Sequence, residues 1–191
     1  MRLAYKLIMK LKRLLIYLNY RRRFKKFGLH TILYKPLRLD GAKNIILENH
    51  VQIRKLVWLG ALPLCNHCNL IIRRGTIVGD LCHIYATHSI LIEENVLIAN
   101  NVYISDNIHN YEDINMPIMF QGVTQKRDVV IGNGSWIGEH VCIIGASIGR
   151  HCVIGANSVV TRDIPDYSVA VGSPAIVIKK YDFNLNKWIK V

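Results

Sequence analysis

Aliphatic residues recur every six positions through most of the chain. Leu47, Ile53 and Leu59 form one set of three, Ile72, Val78 and Ile84 a second, and Ile92, Ile98 and Ile104 a third. Ile131, Ile137 and Ile143 form a fourth set, and Ile148, Ile154 and Val160 a fifth. This period is neither that of an amphipathic helix nor the alternation of one half-buried strand. It fits short strands separated by bends, with each set supplying the three inward corners of one triangular coil. Coils stacked at the usual strand spacing of about 4.8 Å pair every backbone group with the coil above or below.

A second position keeps the same register. The residues four places after the corners are Val96, Val102 and Ile108, then Ser135, Val141, Ser147, Cys152 and Ser158, and all are expected to point inward. Glycine follows the corner at Gly132, Gly138, Gly149 and Gly155. Asn95, Asn101, Asn133 and Asn157 stand at turns, where a left-handed backbone costs asparagine little. Breaks in the register include a five-residue step from Ile143 to Ile148, an eight-residue step from Ile84 to Ile92, and a 27-residue gap from Ile104 to Ile131.

Before the repeat, Leu3, Leu7, Leu11, Leu14 and Leu18 recur at helical spacing among basic residues, which predicts an amphipathic helix within residues 1–30. The formal charge of +12 is concentrated there: no acidic residue precedes Asp40. Without the basic residues from Arg2 to Lys26 the remainder carries only about +2, so charge does not describe the main site. Nucleic acid is not an expected partner, because no motif of a nucleic-acid fold accompanies the charge. Two placements of the helix stay open: packed on the main body with its basic face solvated, or docked on an anionic inner-leaflet surface. Basic residues interrupt every apolar run before it reaches the length of a signal-peptide core or a membrane span. Five cysteines with no secretory signal point to reduced thiols, no disulfides and a cytoplasmic setting.

The long gap holds Ser105-Asp106-Asn107-Ile108-His109-Asn110-Tyr111-Glu112-Asp113, then Met116-Pro117-Ile118 and Gln121-Gly122. A long excursion from a regular scaffold with mixed apolar content predicts a folded arm, over residues 107–129, that carries function.

From about Ile72 to Lys180 the sequence resembles the hexapeptide-repeat acyltransferases, in particular the maltose and galactoside acetyltransferase-like group and its polysaccharide O-acetyltransferase branch. The C-terminal segments Thr161-Arg162-Asp163-Ile164-Pro165 and Val171-Gly172-Ser173-Pro174-Ala175 match the family's close after the last coil. The resemblance implies an all-β, left-handed parallel β-helix over residues 31–165, a C-terminal extension over 166–191, and homotrimers with sites in the clefts between prisms. It implies transfer of an acetyl group from acetyl-CoA to a sugar or glycan hydroxyl, with no metal. In such enzymes a histidine lies five residues after the last corner before the loop, as His109 does after Ile104. An imidazole there is the expected general base, since an alcohol needs its proton removed as it attacks a thioester. The polysaccharide branch commonly carries an earlier histidine in an Asp-His-x-His pattern, and this chain has Asn107 in its place. Asp106, Glu112 and Asp113 are nearby carboxylates, any of which could orient the imidazole, with Asp113 ranked first among them, and a backbone carbonyl could do so equally well.

The same resemblance assigns CoA contacts. Trp136 occupies the outward place where related enzymes set a tryptophan beside the CoA arm. Gly138, Gly155 and Ala156 would let the pantetheine run along the prism, and Arg162, Lys179 and Lys180 are candidates for the nucleotide phosphates. Each has a plain structural alternative: packing between subunits for Trp136, turn geometry for the small residues, solvated charge for the rest. A zinc site built on His83 and His88, or on Cys65, His67, Cys68 and Cys82, lacks a complete ligand pattern. The acceptor expected first is a bacterial surface polysaccharide unit or its precursor, met at the inner membrane face. A small soluble sugar, amino sugar or antibiotic comes second, and a noncatalytic trimeric scaffold third.

Overall fold

The computed structural model describes residue 11 and residues 14–64 and 67–191. Three parallel sheets of short strands make the sides of a triangular, left-handed β-helix. The first face stacks Lys26–Phe27, Ile45–Leu47, Asn69–Ile72, Ser89–Ile92 and Val129–Ile131. The second carries Ile32–Leu33, Gln52–Ile53, Ile77–Val78, Leu97–Ile98, Trp136–Ile137, Val153–Ile154 and Ser168–Val171. The third carries Arg38–Asp40, Trp58–Ala61, His83–Ala86, Tyr103–Ser105, Cys142–Ile144 and Val159–Val160.

Pairing aligns the repeat as its period requires. Ile92 lies between Ile72 and Ile131, Ile98 between Val78 and Ile137, and Ile104 between Ile84 and Ile143. Every predicted corner is buried. Burial of one such side chain stabilises the fold by roughly 1.5–3 kcal/mol, and repetition of one environment explains the repetition of one residue type. The stack is longer at both ends than the five sets. Phe27, Leu33 and Leu39 begin it, and Ile164 and Ala170 continue it past Val160.

The second inward position is an alternating column at the corner between the first and second faces: Thr31, Val51, Thr76, Val96, Ser135, Cys152 and Ser168. Each early hydroxyl ties coils together. Thr76 donates to Glu93 O at 2.7 Å and accepts the Val96 N–H at 3.1 Å, and Ser135 does the same for Gly149 O and Cys152 N–H. Three expectations need correction. Ala146, not Ser147, fills the inward place in the five-residue step, because the shortened turn brings the preceding side chain inward. Ile108 leaves the coil to pair with Thr124 and is only half-buried. Asn95, Asn101 and Asn157 adopt the left-handed conformation, but at the turn of Asn133 it is the next residue, Gly134, that does so.

Residues 14–20 are helical and close the open end of the first coil. Ile16, Tyr17 and Tyr20 pack on the core, and Tyr20 stacks on Phe27 at 5.7 Å. The leucine stripe is therefore not the face that packs: Leu11, Leu14 and Leu18 are exposed, while Leu3 and Leu7 lie outside the described residues. At the other end, Ile176–Asp182 and Lys187–Lys190 turn back antiparallel on Ser168–Val171, so the parallel stack reaches into the segment expected to be an extension. No helix among the described residues is long and apolar enough to cross a membrane.

Candidate active site

The arm leaves the prism after Ser105, at the corner between the third and first faces, and re-enters at Val129. Its base is anchored by Asp106, whose side chain is fully buried. That carboxylate accepts the Thr87 hydroxyl at 2.8 Å and the backbone N–H groups of Thr87, His88 and Ser89 at the same corner one coil earlier. Its backbone carbonyl accepts Lys126 N–H at 2.7 Å, tying the returning limb to the outgoing one. The carboxylate thus substitutes for the backbone partners that those N–H groups would otherwise lack at a corner where the coil is interrupted.

Asn107–His109 and Val123–Gln125 pair antiparallel to form the arm's stem, with Asn107 opposite Gln125 and His109 opposite Val123. The side chain of Gln121 closes the far end, donating to Asp113 O and Met116 O and accepting Asp113 N–H. The tip is exposed and apolar: Tyr111, Ile114, Met116, Ile118, Met119 and Phe120 all face solvent in the single chain.

His109 is exposed on the stem. Among the described residues no side chain hydrogen-bonds its imidazole. The three nearby carboxylates do other work: Asp106 is committed to the earlier corner, Asp113 caps its own turn by accepting Asn115 N–H at 2.9 Å, and Glu112 lies exposed on the arm. Asn107, in the place of the earlier histidine, donates to Asp106 at 2.9 Å and so braces the stem against the prism.

A different imidazole is held by a carboxylate. His88 Nδ1 lies 2.6 Å from Asp128 Oδ1, and Asp128 also accepts Gln125 Nε2–H at 2.9 Å. Gln125 faces Asn107 across the stem, two residues from His109, so this pair belongs to the base of the same arm. The two partners are 40 residues apart in sequence, which hid the pair from any local motif. His83, the other half of the rejected zinc pair, points out of the third face and stacks on Trp58 at 4.0 Å, so the two histidines do not converge.

The expected CoA residues are divided. Trp136 is half-exposed on the outside of the second face, in a column that continues through Val153 and Val169 to Lys179. Lys180 is exposed on the same returning strand. Arg162 is exposed just past the third face, away from that column. Gly138 is buried where an added Cβ would meet Ile154 O and Ala156 N at 2.7 Å, so close coil packing alone demands glycine there. An added Cβ at Gly155 would press on the Val171 side chain at 2.7 Å and meet backbone, Ala170 O, only at an ordinary 3.8 Å, and Ala156 is exposed. Since the second face lies opposite the corner where the third face meets the first, one chain cannot set His109 beside Trp136 and Lys179.

Residues 128–162 match the family model described as the hexapeptide repeat of succinyl-transferase. The chain is 50% identical over 72 residues to a protein of Mycobacterium tuberculosis named as an acetyltransferase, Rv3034c, a match covering 37% of this chain and 24% of that protein. It is 48% identical over 63 residues to WbbJ of Escherichia coli, named as a lipopolysaccharide biosynthesis O-acetyl transferase, covering 32% of each. The chain thus spans about a quarter to a third of the length of these curated relatives. A crystal structure of a maltose O-acetyltransferase from Clostridium difficile superposes with a TM-score of 0.58 and 32% identity, covering 85% of this chain and 72% of that one. With the coil register, the interrupting arm and this match in agreement, the chain belongs to the hexapeptide-repeat acyltransferase family.

Proposed function

We propose that this protein is a homotrimeric O-acetyltransferase that moves the acetyl group of acetyl-CoA to a saccharide hydroxyl, with His109 as general base. The observation that carries this reading is the separation of the arm from the second face. An exposed imidazole on one edge and an outward Trp136–Lys179 column on the opposite side make one site only when the arm of one chain lies along the second face of a neighbour. Such an arrangement also covers the apolar tip of the arm, from Tyr111 to Phe120, which a lone chain leaves in water.

The chemistry follows from the groups present. The His109 imidazole takes the proton of the acceptor hydroxyl as its oxygen attacks the thioester carbonyl. Collapse of the tetrahedral intermediate breaks the carbon–sulfur bond, and the proton passes to the departing CoA thiolate. The Trp136 ring supports the pantetheine arm and Lys179, with Lys180 beside it, meets phosphate charge.

A second reading of the base is favoured by one contact. His88 is already oriented by Asp128 at 2.6 Å, the arrangement that fixes a tautomer and leaves Nε2 to act. The acceptor we favour is a unit of a bacterial surface polysaccharide or its precursor, on the strength of the likeness to WbbJ. A small soluble sugar is the alternative, supported by the likeness to a maltose O-acetyltransferase.

Release of CoA thiol from acetyl-CoA, measured with a panel of free sugars and glycan repeat units beside the His109→Ala variant, tests the reading. Thiol release that needs a saccharide and depends on His109 is expected. No turnover with any acceptor and no CoA binding by calorimetry would leave a scaffold.

A further inference from the structure

We propose that the outer face of the N-terminal helix is a docking surface for an anionic lipid bilayer. The helix has two apolar faces with different partners. Ile16, Tyr17 and Tyr20 seal the end of the β-helix, and Tyr20 and Phe24 pack edge-on at 6.0 Å. Leu11, Leu14, Leu15 and Leu18 stand at the i, i+3, i+4, i+7 spacing of a single face, and each is about half-exposed, from 46% to 57%. These leucines are not needed to close the core, which the opposite face already closes.

Charge complementarity selects the occupant. Arg21, Arg22 and Arg23 follow the leucines directly and are all exposed, and no acidic residue occurs before Asp40. An apolar ridge flanked by cations of one sign is what partitions into a headgroup boundary rich in anionic lipid, where leucines enter the acyl region and guanidinium groups stay at phosphate level. A second copy of this chain would bring the same cations against one another at the same ridge, which disfavours self-association through it. Because the helix lies across the end of the prism, docking there leaves the arm and the second face free. The surface would serve acylation of a membrane-held acceptor, but its existence does not depend on the acyl-transfer reading.

Co-sedimentation of the full chain with vesicles tests this. Binding is expected to vesicles of phosphatidylcholine with phosphatidylglycerol, to weaken as salt is raised, and to be absent with phosphatidylcholine alone. The pair L14S and L18S, and separately the pair R21E and R22E, should each lower vesicle affinity by about tenfold or more. Melting temperature and acetyl transfer to a soluble acceptor should be unchanged, since the helix residues that pack on the core are Ile16, Tyr17 and Tyr20 and not these. Wild-type protein that stays in the supernatant with anionic vesicles overturns the proposal, as does a leucine variant that sediments like the wild type. If the leucine substitutions instead lower the assembly mass in analytical ultracentrifugation, the face belongs to a second copy and the lipid assignment fails.

Discussion

The buried carboxylate of Asp106 receives the Thr87 hydroxyl at 2.8 Å, joining the residue where the arm departs to the corner one coil earlier. Backbone donors at Thr87, His88 and Ser89 converge on the same group, and the Asp106 carbonyl holds Lys126 on the returning limb. One residue therefore closes the prism where it is interrupted and fixes the root of the stem bearing His109.

Asp106→Ala should accordingly destabilise the protein by about 2–5 kcal/mol, since it strands several buried donors at once. Urea unfolding monitored by circular dichroism reads this directly. Asp106→Asn keeps an acceptor oxygen but turns amide hydrogens toward backbone N–H groups, so it should recover only part of the loss.

His109→Ala is expected to lower kcat by about 10²–10⁴-fold with little change in the midpoint of unfolding, because the side chain is exposed. Steady-state thiol release on His109→Ala, His88→Ala and Asp128→Asn separates the two readings of the base. A loss confined to His109 supports the first. Equal losses at His88 and Asp128, with His109→Ala active, would transfer the role to the pair at the arm's root.

Gly138→Ala should cost about 1–3 kcal/mol, as its methyl group would meet backbone atoms of the next coil at 2.7 Å. Gly155→Ala should cost less, because the nearest atom belongs to the Val171 side chain, which can turn. Calorimetric melting of both variants tests the order. If Gly138 served CoA alone, its alanine variant would lose CoA affinity and keep its stability.

The N–H of Ser147, donated at 2.8 Å, and the Arg127 guanidinium at 2.7 Å hold the Asp163 carboxyl below its ordinary value, with partial burial opposing them. A carboxyl lowered on folding adds stability at pH above its unfolded value, and that contribution is lost as pH falls through the ordinary value near 3.8 toward the folded one. The difference in melting temperature between wild type and Asp163→Asn should therefore be largest near neutral pH and shrink as acid protonates the wild-type group. A difference independent of pH would remove the linkage.

Burial, aided by the charge of Asp106, pushes the Cys68 thiol up to about 12, and burial pushes Cys82 up to about 11. Neither is a useful thiolate near neutral pH. Labelling with an alkylating reagent, read peptide by peptide in a mass spectrometer, should leave both unmodified in the native protein and modify both in urea.

The sequence by itself determined the prism. Its corners are legible because every coil repeats one environment, so the same aliphatic choice recurs each time from Leu47 to Val160 and the period survives without any knowledge of distance. The interruption after Ile104 and the histidine five residues on were also visible in the chain. What only the tertiary structure decided lies where that periodicity stops. The pairing of His88 with Asp128, the clamp of Asp106 on the Thr87 corner, and the use of Ala146 in the shortened turn join residues through the stacking of coils, which no local spacing encodes. The same holds for the N-terminal helix. A leucine stripe in sequence says that one face is apolar, and packing alone decided that the tyrosine face meets the core while the leucines meet solvent.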